Sequence, residues 1–177
     1  MTLQGWSMDP THSSIAFAVR HMVVAKVRGQ FKKYTAKIEI DEEDITRSRL
    51  SVVIDAASVD TGSEQRDTHL RSADFFDVAT FPELRFDSRR VESLGEGRLK
   101  VVGDLTLHGV TREVVLDVED AGRTQDPWGG TRAGFAARTS IDRRNFGIVY
   151  GSGLVGDRVE IEIDVEAVSQ ATAQRAA

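Results

Sequence analysis

LKVVGDLTLHGVTREVVLDV, residues 99–118, has the pattern of two β-strands joined by a tight turn. On the first strand one parity is apolar at positions 99, 101, 105 and 107, and the other carries Lys100, Asp104 and Thr106, which is typical of a strand with one buried face. The apolar parity returns at 114, 116 and 118. Between the strands, His108-Gly109 offers a glycine that can adopt positive φ, so we predict an antiparallel hairpin with a loop of two residues, or of four (108–111).

Such a hairpin cannot bury its apolar face alone, so the rest of the chain must supply more strands. Alternation in the remaining sequence predicts six of them, at residues 15–19, 31–40, 50–54, 84–86, 135–141 and 159–167. Phe31 has the opposite parity to Tyr34 and Ile38, which indicates a bulge near Lys32 and Lys33. With the two arms of the hairpin, the sequence therefore predicts eight strands.

Helical signals are few. Thr61 and Glu64 have the spacing of a capping box, which predicts a short helix over residues 63–71. Residues 21–25 lose the alternation and are expected to form a short helical turn. Phe75 and Phe76 follow the helix, and burying two adjacent rings requires irregular backbone.

The fold class follows from this element list. Eight antiparallel strands with one or two short helices fit a sandwich or a closed barrel, and the length of several strands favours an all-β, eight-stranded antiparallel barrel. We expect one domain over residues 1–168 and a flexible tail over 169–177. An eight-stranded barrel is filled by its own side chains or holds one slender ligand.

Composition limits the partners. The formal net charge is −5 over 177 residues, and no basic run exceeds a dipeptide, which argues against nucleic acid and against anionic membrane surfaces. No apolar run approaches the roughly 20 residues of a membrane helix, so stable membrane insertion is not expected. Cysteine is absent, which excludes disulfides and thiolate chemistry. The N-terminal residues lack the pattern of a signal peptide, so we expect a cytoplasmic protein.

Motifs for catalysis and cofactors are weak. Residues 151–156, GSGLVG, match a dinucleotide fingerprint, but a predicted strand follows where the fingerprint needs a helix, so we interpret them as a loop. Histidines 12, 21, 69 and 108 lack local metal-ligand spacing, and we predict neither a metal nor a cofactor.

No catalytic set emerges either. Asp67 and His69 lie two apart on the predicted helix and point about 200° apart around its axis. Ser13 and Ser14 neighbour His12 in an extended segment, where adjacent side chains do not converge, so the predicted catalytic set is empty. Three cations beside aromatic residues suit an anionic headgroup at a barrel mouth, and these headgroup candidates are Lys32, Arg143 and Arg144.

Eight short motifs then appear in order along most of the chain: DPTHS (9–13), HM (21–22), RDTHLRS (66–72), FF (75–76), FPELRF (81–86), GDLTLHGVTR (103–112), DRRNFG (142–147) and GDRV (156–159). Together they closely resemble the YceI-like family of polyisoprenoid-binding proteins. The resemblance implies a lipocalin-like barrel, commonly a homodimer, that holds a long isoprenoid chain in its lumen. It implies no catalytic set.

The ligand site expected from this resemblance is apolar. Its matching aromatic residues are Phe17, Phe31, Phe75, Phe76, Phe86 and Phe146, and the apolar strand faces add Val19, Leu105, Leu116, Phe135, Ile161 and Ile163.

Three functions remain open on the sequence. The first is non-enzymatic binding, carriage or storage of a polyprenyl diphosphate, a polyprenol or an isoprenoid quinone. The second is an enzyme, a hydrolase or isomerase, that acts on a similar lipid with His12, Asp67, His69 or His108 at the barrel mouth. The third is a binding module whose dimer surface matters more than its lumen.

Overall fold

The structure is a computed structural model, and it describes residues 2–170. Within them the chain forms eleven strands and one α-helix. These are β1 (Leu3–Met8), β2 (Ser14–His21), β3 (Ala25–Phe31), β4 (Tyr34–Asp41), β5 (Arg49–Asp55), β6 (Val59–Asp60), α1 (Glu64–Arg71), β7 (Glu83–Gly95), β8 (Arg98–Leu107), β9 (Val110–Gln125), β10 (Thr131–Asp142) and β11 (Val155–Ser169). Short 3₁₀ turns cover Ile45–Arg47, Ala56–Ser58 and Arg143–Phe146.

Eight of these strands close into a ring, in the order β1-β4-β5-β7-β8-β9-β10-β11 and back to β1, and every pairing in it is antiparallel. Strand β1 closes the ring because it pairs with β4 on one side, Trp6 opposite Ile38, and with the end of β11 on the other, Trp6 opposite Ser169. The predicted eight-stranded antiparallel barrel is confirmed.

A second group of strands extends the wall. β2 pairs with the first part of β11, Val159 opposite Val19 and Ile163 opposite Ile15, and β3 and β6 follow β2. Long β11 therefore has two neighbours along the same edge, β2 over its first part and β1 at its end.

The central hairpin is as predicted. β8 and β9 pair from Arg98 opposite Glu119 to Leu107 opposite Val110, which leaves a two-residue turn. His108 (φ 55°) and Gly109 (φ 72°) are both left-handed, as a type I′ hairpin turn requires.

Several predicted elements differ in detail. The segment 31–40 is two strands, because the chain leaves the ladder at Lys32 and Lys33 and Phe31 belongs to β3. The helical turn predicted over 21–25 is wrong, since His21 pairs with Ala25 around a tight turn. Strand β1 was not predicted, and it is one of the eight strands of the ring, whereas the predicted strand β2 lies outside the ring.

Helix α1 lies where the sequence places it, but another residue caps it. Ser63 Oγ accepts a hydrogen bond from the Arg66 amide at 3.4 Å. Thr61 is engaged elsewhere, because its amide and its hydroxyl donate to the buried Asp67 carboxylate at 2.9 and 2.5 Å. Phe75 and Phe76 lie in irregular backbone after the helix and pack on the core, as expected.

The predicted tail begins too early. Ser169 is the last residue of β11, is buried, and pairs with Trp6, because β1 gives the end of β11 a partner. Residues 171–177, the rest of that tail, lie outside the described residues.

An inward-facing glycine makes room for one of the large rings of the barrel. A Cβ atom at Gly103 would lie 2.5 Å from the Phe86 ring and 2.5 Å from the Asp87 carbonyl oxygen. The Phe86 ring therefore occupies the space that a side chain at position 103 would need.

We expect Gly103→Ala to lower the midpoint of thermal unfolding by several degrees, because overpacking of this kind destabilises a core by about 1–3 kcal/mol. Gly134→Ala is the matched control, since its Cβ would meet its nearest atom, Ala121 Cβ, at 3.5 Å. Equal midpoints for the two variants, measured by circular dichroism, would contradict this account of Gly103.

Candidate functional site

The barrel encloses a cavity of about 270 Å³ whose wall is almost entirely hydrocarbon. Polar or charged residues contribute to the wall at only a few positions within residues 2–170. These are Glu39, Ser48, Arg49, Thr139 and Arg143.

The lumen is hollow because inward-facing side chains do not fill it. On β11 the residues Ile161, Ile163 and Val165 face the cavity, and each is only half-buried. Glu160, Glu162 and Asp164 alternate with them on the outer face. A close-packed interior would bury the inward set completely, so the half-buried aliphatic side chains mark a space for an apolar guest.

Eleven of the twelve predicted ligand-site residues border the cavity. They are Phe17, Val19, Phe31, Phe75, Phe76, Phe86, Leu105, Leu116, Phe135, Ile161 and Ile163. Phe146 does not border it. Its ring is buried in the packed core beside the central hairpin, where its carbonyl oxygen lies 3.1 Å from His108 Nδ1.

The wall also contains residues outside the predicted ligand site. Most occupy alternate positions on predicted strands, so the same period-2 signal marks them; they include Ile15, Val52, Ile54, Leu84, Val101 and Val118. Met8, Ile148 and Val155 had no such signal, because they lie in an unpredicted strand, in a loop, and at the beginning of β11 beyond its predicted start.

Two of the three headgroup candidates lie away from the cavity. Lys32 Nζ pairs with Asp60 at 2.7 Å, and Arg144 pairs with Asp142 at 2.7 Å, both on the surface. Neither borders the cavity wall. Their charges are partly neutralised by these neighbours, so the structure does not bring the three cations together at a barrel mouth.

Arg143 borders the cavity, but its nitrogens are already committed. Nε donates to the Gly156 carbonyl at 2.9 Å, Nη1 to Tyr150 at 2.7 Å and Ile148 at 3.2 Å, and Nη2 to Val155 at 3.1 Å. Its burial lowers the pKa of the guanidinium, an effect that nearby Asp157 partly offsets. Arg143 therefore holds the loop of residues 147–154 and the beginning of β11 against the barrel.

The GSGLVG motif begins in that loop and its last two residues open β11, so a strand follows it as predicted. Gly151 (φ 74°) and Gly153 (φ 85°) are left-handed, so the glycines serve a tight turn.

We expect Arg143→Met to lower the free energy of unfolding by on the order of 3 kcal/mol, because it leaves several carbonyl groups without their donor. Arg144→Met is the control, since an exposed ion pair contributes less than about 1 kcal/mol. Urea denaturation of both variants measures the difference. Equal losses would show that Arg143 does not hold the loop.

The four residues named for the enzyme alternative do not border the cavity. His12 pairs with Asp9 at 2.9 Å, His69 Nε2 with Asp74 at 2.8 Å, and His108 with the Phe146 carbonyl. The Asp67 carboxylate accepts from Thr61. The enzyme hypothesis requires at least one of the four to lie within hydrogen-bond reach of a polar side chain of the wall. Within residues 2–170, none of them does.

One cluster outside the lumen combines metal-ligand residue types. Asp9, His12 and Glu166 bring one ligand atom each within 4.8 Å of one another. Arg132 Nη1 already donates to Asp9 at 3.0 Å and to Glu166 at 2.6 Å, so a guanidinium supplies positive charge there. Ser13 Oγ is likewise used, because it bonds the Glu166 backbone.

The pKa values in this cluster are shifted by its hydrogen bonds. The His12 hydrogen bond, followed by the Thr11 amide, holds the pKa of Asp9 well below its usual range. Asp9 in turn raises the pKa of His12. The ion pair therefore stabilises the fold above the ordinary pKa of Asp9, 3.8, and below that of His12, 6.5, and is lost as the pH rises through the shifted pKa of His12.

Accordingly, His12→Gln should lower the unfolding midpoint more at about pH 5 than at about pH 8.5, because the contribution of the ion pair decreases once the pH rises above the ordinary pKa of histidine. Thermal scans of wild type and variant in the two buffers test this. If the difference in unfolding midpoint between wild type and variant were the same at both pH values, the stabilising ion pair would be contradicted.

No helix within residues 2–170 has the length and hydropathy to span a membrane.

Comparison with known proteins places these features in a family. A family model described as the YceI-like domain matches residues 6–167. A UPF0312 protein of Vibrio campbellii is 39% identical over 160 residues, which cover 90% of this chain and 83% of the relative. A UPF0312 protein of Serratia proteamaculans is 42% identical over 157 residues, 89% of this chain and 81% of the relative.

Solved structures share the fold. A Campylobacter jejuni YceI protein is 31% identical, with a TM-score of 0.74 over 84% of this chain and 88% of its own. Burkholderia cenocepacia BcnA has a TM-score of 0.82 at 24% identity, over 90% of this chain and 98% of its own. A polyisoprenoid binding domain from Saccharophagus degradans has a TM-score of 0.67 at 18% identity, over 94% of this chain and 99% of its own. For the last two, the likeness is one of fold.

Proposed function

This chain belongs to the YceI-like family, and from that premise we propose that it binds a long isoprenoid lipid in the barrel lumen as a non-enzymatic carrier or store. A polyprenyl diphosphate, a polyprenol and an isoprenoid quinone all share the required tail. The hollow hydrocarbon lumen is the observation that carries the proposal. The polyisoprenoid binding domain from Saccharophagus degradans, which has the same fold, supports it.

Apolar burial supplies enough free energy for such a ligand. An isoprene unit has five carbons, so its transfer from water gains on the order of 3–4 kcal/mol gross at about 0.8 kcal/mol per methylene. A few units offset the loss of translational and rotational freedom on binding. Tail length beyond that improves the fit more than the affinity, because measured affinities saturate.

The three predicted headgroup cations are all engaged with other groups of the protein, which favours recognition of the tail. Arg143 has its nitrogens committed to carbonyl oxygens. Lys32 and Arg144 pair with carboxylates outside the cavity. We therefore propose that the headgroup lies beyond the hydrocarbon part of the lumen and that the tail supplies most of the binding free energy.

The positions of the candidate acids and bases favour carriage of the lipid over catalysis. Hydrolysis or isomerisation needs a positioned acid or base at the ligand. His12, Asp67, His69 and His108 do not border the cavity, although the His69 ring packs on the wall residue Phe75 at 5.0 Å between ring centres.

Mass spectrometry of an organic extract of gently purified protein tests the proposal. We expect about one apolar molecule per barrel in the wild type. In Ala137→Phe the new ring enters the lumen, because Ala137 borders the cavity, and the lipid-to-protein ratio should fall severalfold. Circular dichroism checks that this variant keeps the fold, since a larger side chain at a buried position can destabilise it.

Ala136→Phe is the matched control, since Ala136 has the opposite parity on β10 and faces outward. Repeated recovery of empty wild-type protein would overturn the proposal. Equal lipid content in the two variants would overturn the lumen as the binding site.

The homodimer and the cytoplasmic location stay predictions. Sedimentation and cell fractionation would test them.

A further inference from the structure

An exposed apolar rim lies at one end of the barrel. It consists of Met22, Val23, Val24 and Leu154, all of them exposed, with Val23 78% and Val24 87% accessible. The two segments touch, because the Met22 amide donates to the Leu154 carbonyl at 2.7 Å. Val149 and Tyr150 add two more exposed apolar side chains on the same loop.

The turn that carries the rim is strained as well as exposed. Met22 (φ 52°) and Val23 (φ 65°) are left-handed, a conformation that is an outlier for a β-branched residue. Contacts within the barrel do not compensate, since both side chains face solvent. Backbone strain and exposed apolar side chains in the same segment are typical of surfaces that bind a partner.

The rim adjoins the cavity. His21, next to Met22, pairs with Val155, which borders the lumen, and Val19 borders the lumen two residues earlier. The exposed hydrocarbon is thus close to the hydrocarbon of the wall.

Basic residues surround the rim on the outer face of β2, β3 and β11. Arg20 and Lys26 pair across β2 and β3, Arg28 lies two pairs further, opposite Ala18, and Arg158 lies on β11. Within residues 2–170, Arg28 and Arg158 form no ion pair, while Glu160 is paired with Lys26 at 2.8 Å. The acids Glu162 and Asp164 follow further along β11, away from the rim.

We propose that this rim docks on an anionic lipid bilayer, with Val23 and Val24 entering the interface and the surrounding cations lying at the headgroups. Exposed apolar side chains flanked by Arg and Lys suit that surface. A symmetric contact between two copies would bring the same cations together, which disfavours it. The net charge of −5 argues against anionic surfaces on average, but beside the rim the four cations Arg20, Lys26, Arg28 and Arg158 outnumber the two acids Asp157 and Glu160.

The benefit of docking to this protein rests on the proposed function, lipid binding in the lumen. Isoprenoid lipids reside in membranes, and a docked rim would place the lumen beside its supply. Docking itself is measured without any ligand.

Flotation with vesicles tests it. The wild type should float with vesicles of equal parts phosphatidylcholine and phosphatidylglycerol, more weakly in high salt and weakly with phosphatidylcholine alone. The double variant Val23→Ser, Val24→Ser should bind at least about tenfold more weakly. Trp128→Ser is the control, because Trp128 is also exposed but lies in the β9–β10 turn, near the opposite end of β11.

Charge variants test the second half of the proposal. Arg28→Gln and Arg158→Gln should each weaken binding to the anionic vesicles about fivefold. Lys37→Gln, an exposed cation on β4, should leave it unchanged.

Loading of a polyprenol from detergent micelles separates docking from lumen binding. The rim double variant should load normally and Ala137→Phe should not. Wild-type protein that loads but does not float would overturn docking and leave the carrier proposal standing. Equal weakening by Trp128→Ser, or a rim variant that only converts a dimer to a monomer, would also overturn docking.

Discussion

Six residues, Leu3–Met8, keep the barrel closed, and the hollow interior depends on that closure. Strand β1 forms backbone pairs on both edges, so the ring has no free edge between β4 and β11. A closed ring satisfies its backbone hydrogen bonds around the circumference. The wall is therefore stable without side chains that fill the lumen.

A small second core seals the region of closure. It consists of Trp6, Ile38, Ile40, Ala133 and Ala167. The Arg123 guanidinium lies 5.5 Å from the centre of the Trp6 ring and 5.3 Å from that of Phe135, which are cation–π distances. One end of the barrel is thus packed like an ordinary protein interior, while the middle stays open.

The inner and outer faces of the barrel wall differ in polarity and charge. On the inner side, Arg143 carries the one buried guanidinium among the described residues, and it donates to the backbone of a glycine-rich loop and of β11. The rest of the lumen wall is almost entirely hydrocarbon. Outside, charge is graded along β11, from Arg158 near the rim to Glu162 and Asp164 further on. An apolar lumen inside and a charged surface outside are compatible on one sheet, because successive residues of a strand face opposite sides.

The sequence by itself determined the fold class, the central hairpin, the place of α1 and most of the lumen wall, because period-2 alternation and turn residues are local signals. Only the tertiary structure decided that β1 closes the ring, that Phe146 packs in the core and that Arg143 clamps a loop. These outcomes depend on pairings between segments far apart in the chain, and short segments such as Leu3–Met8 gain their stability from partners that no local pattern identifies.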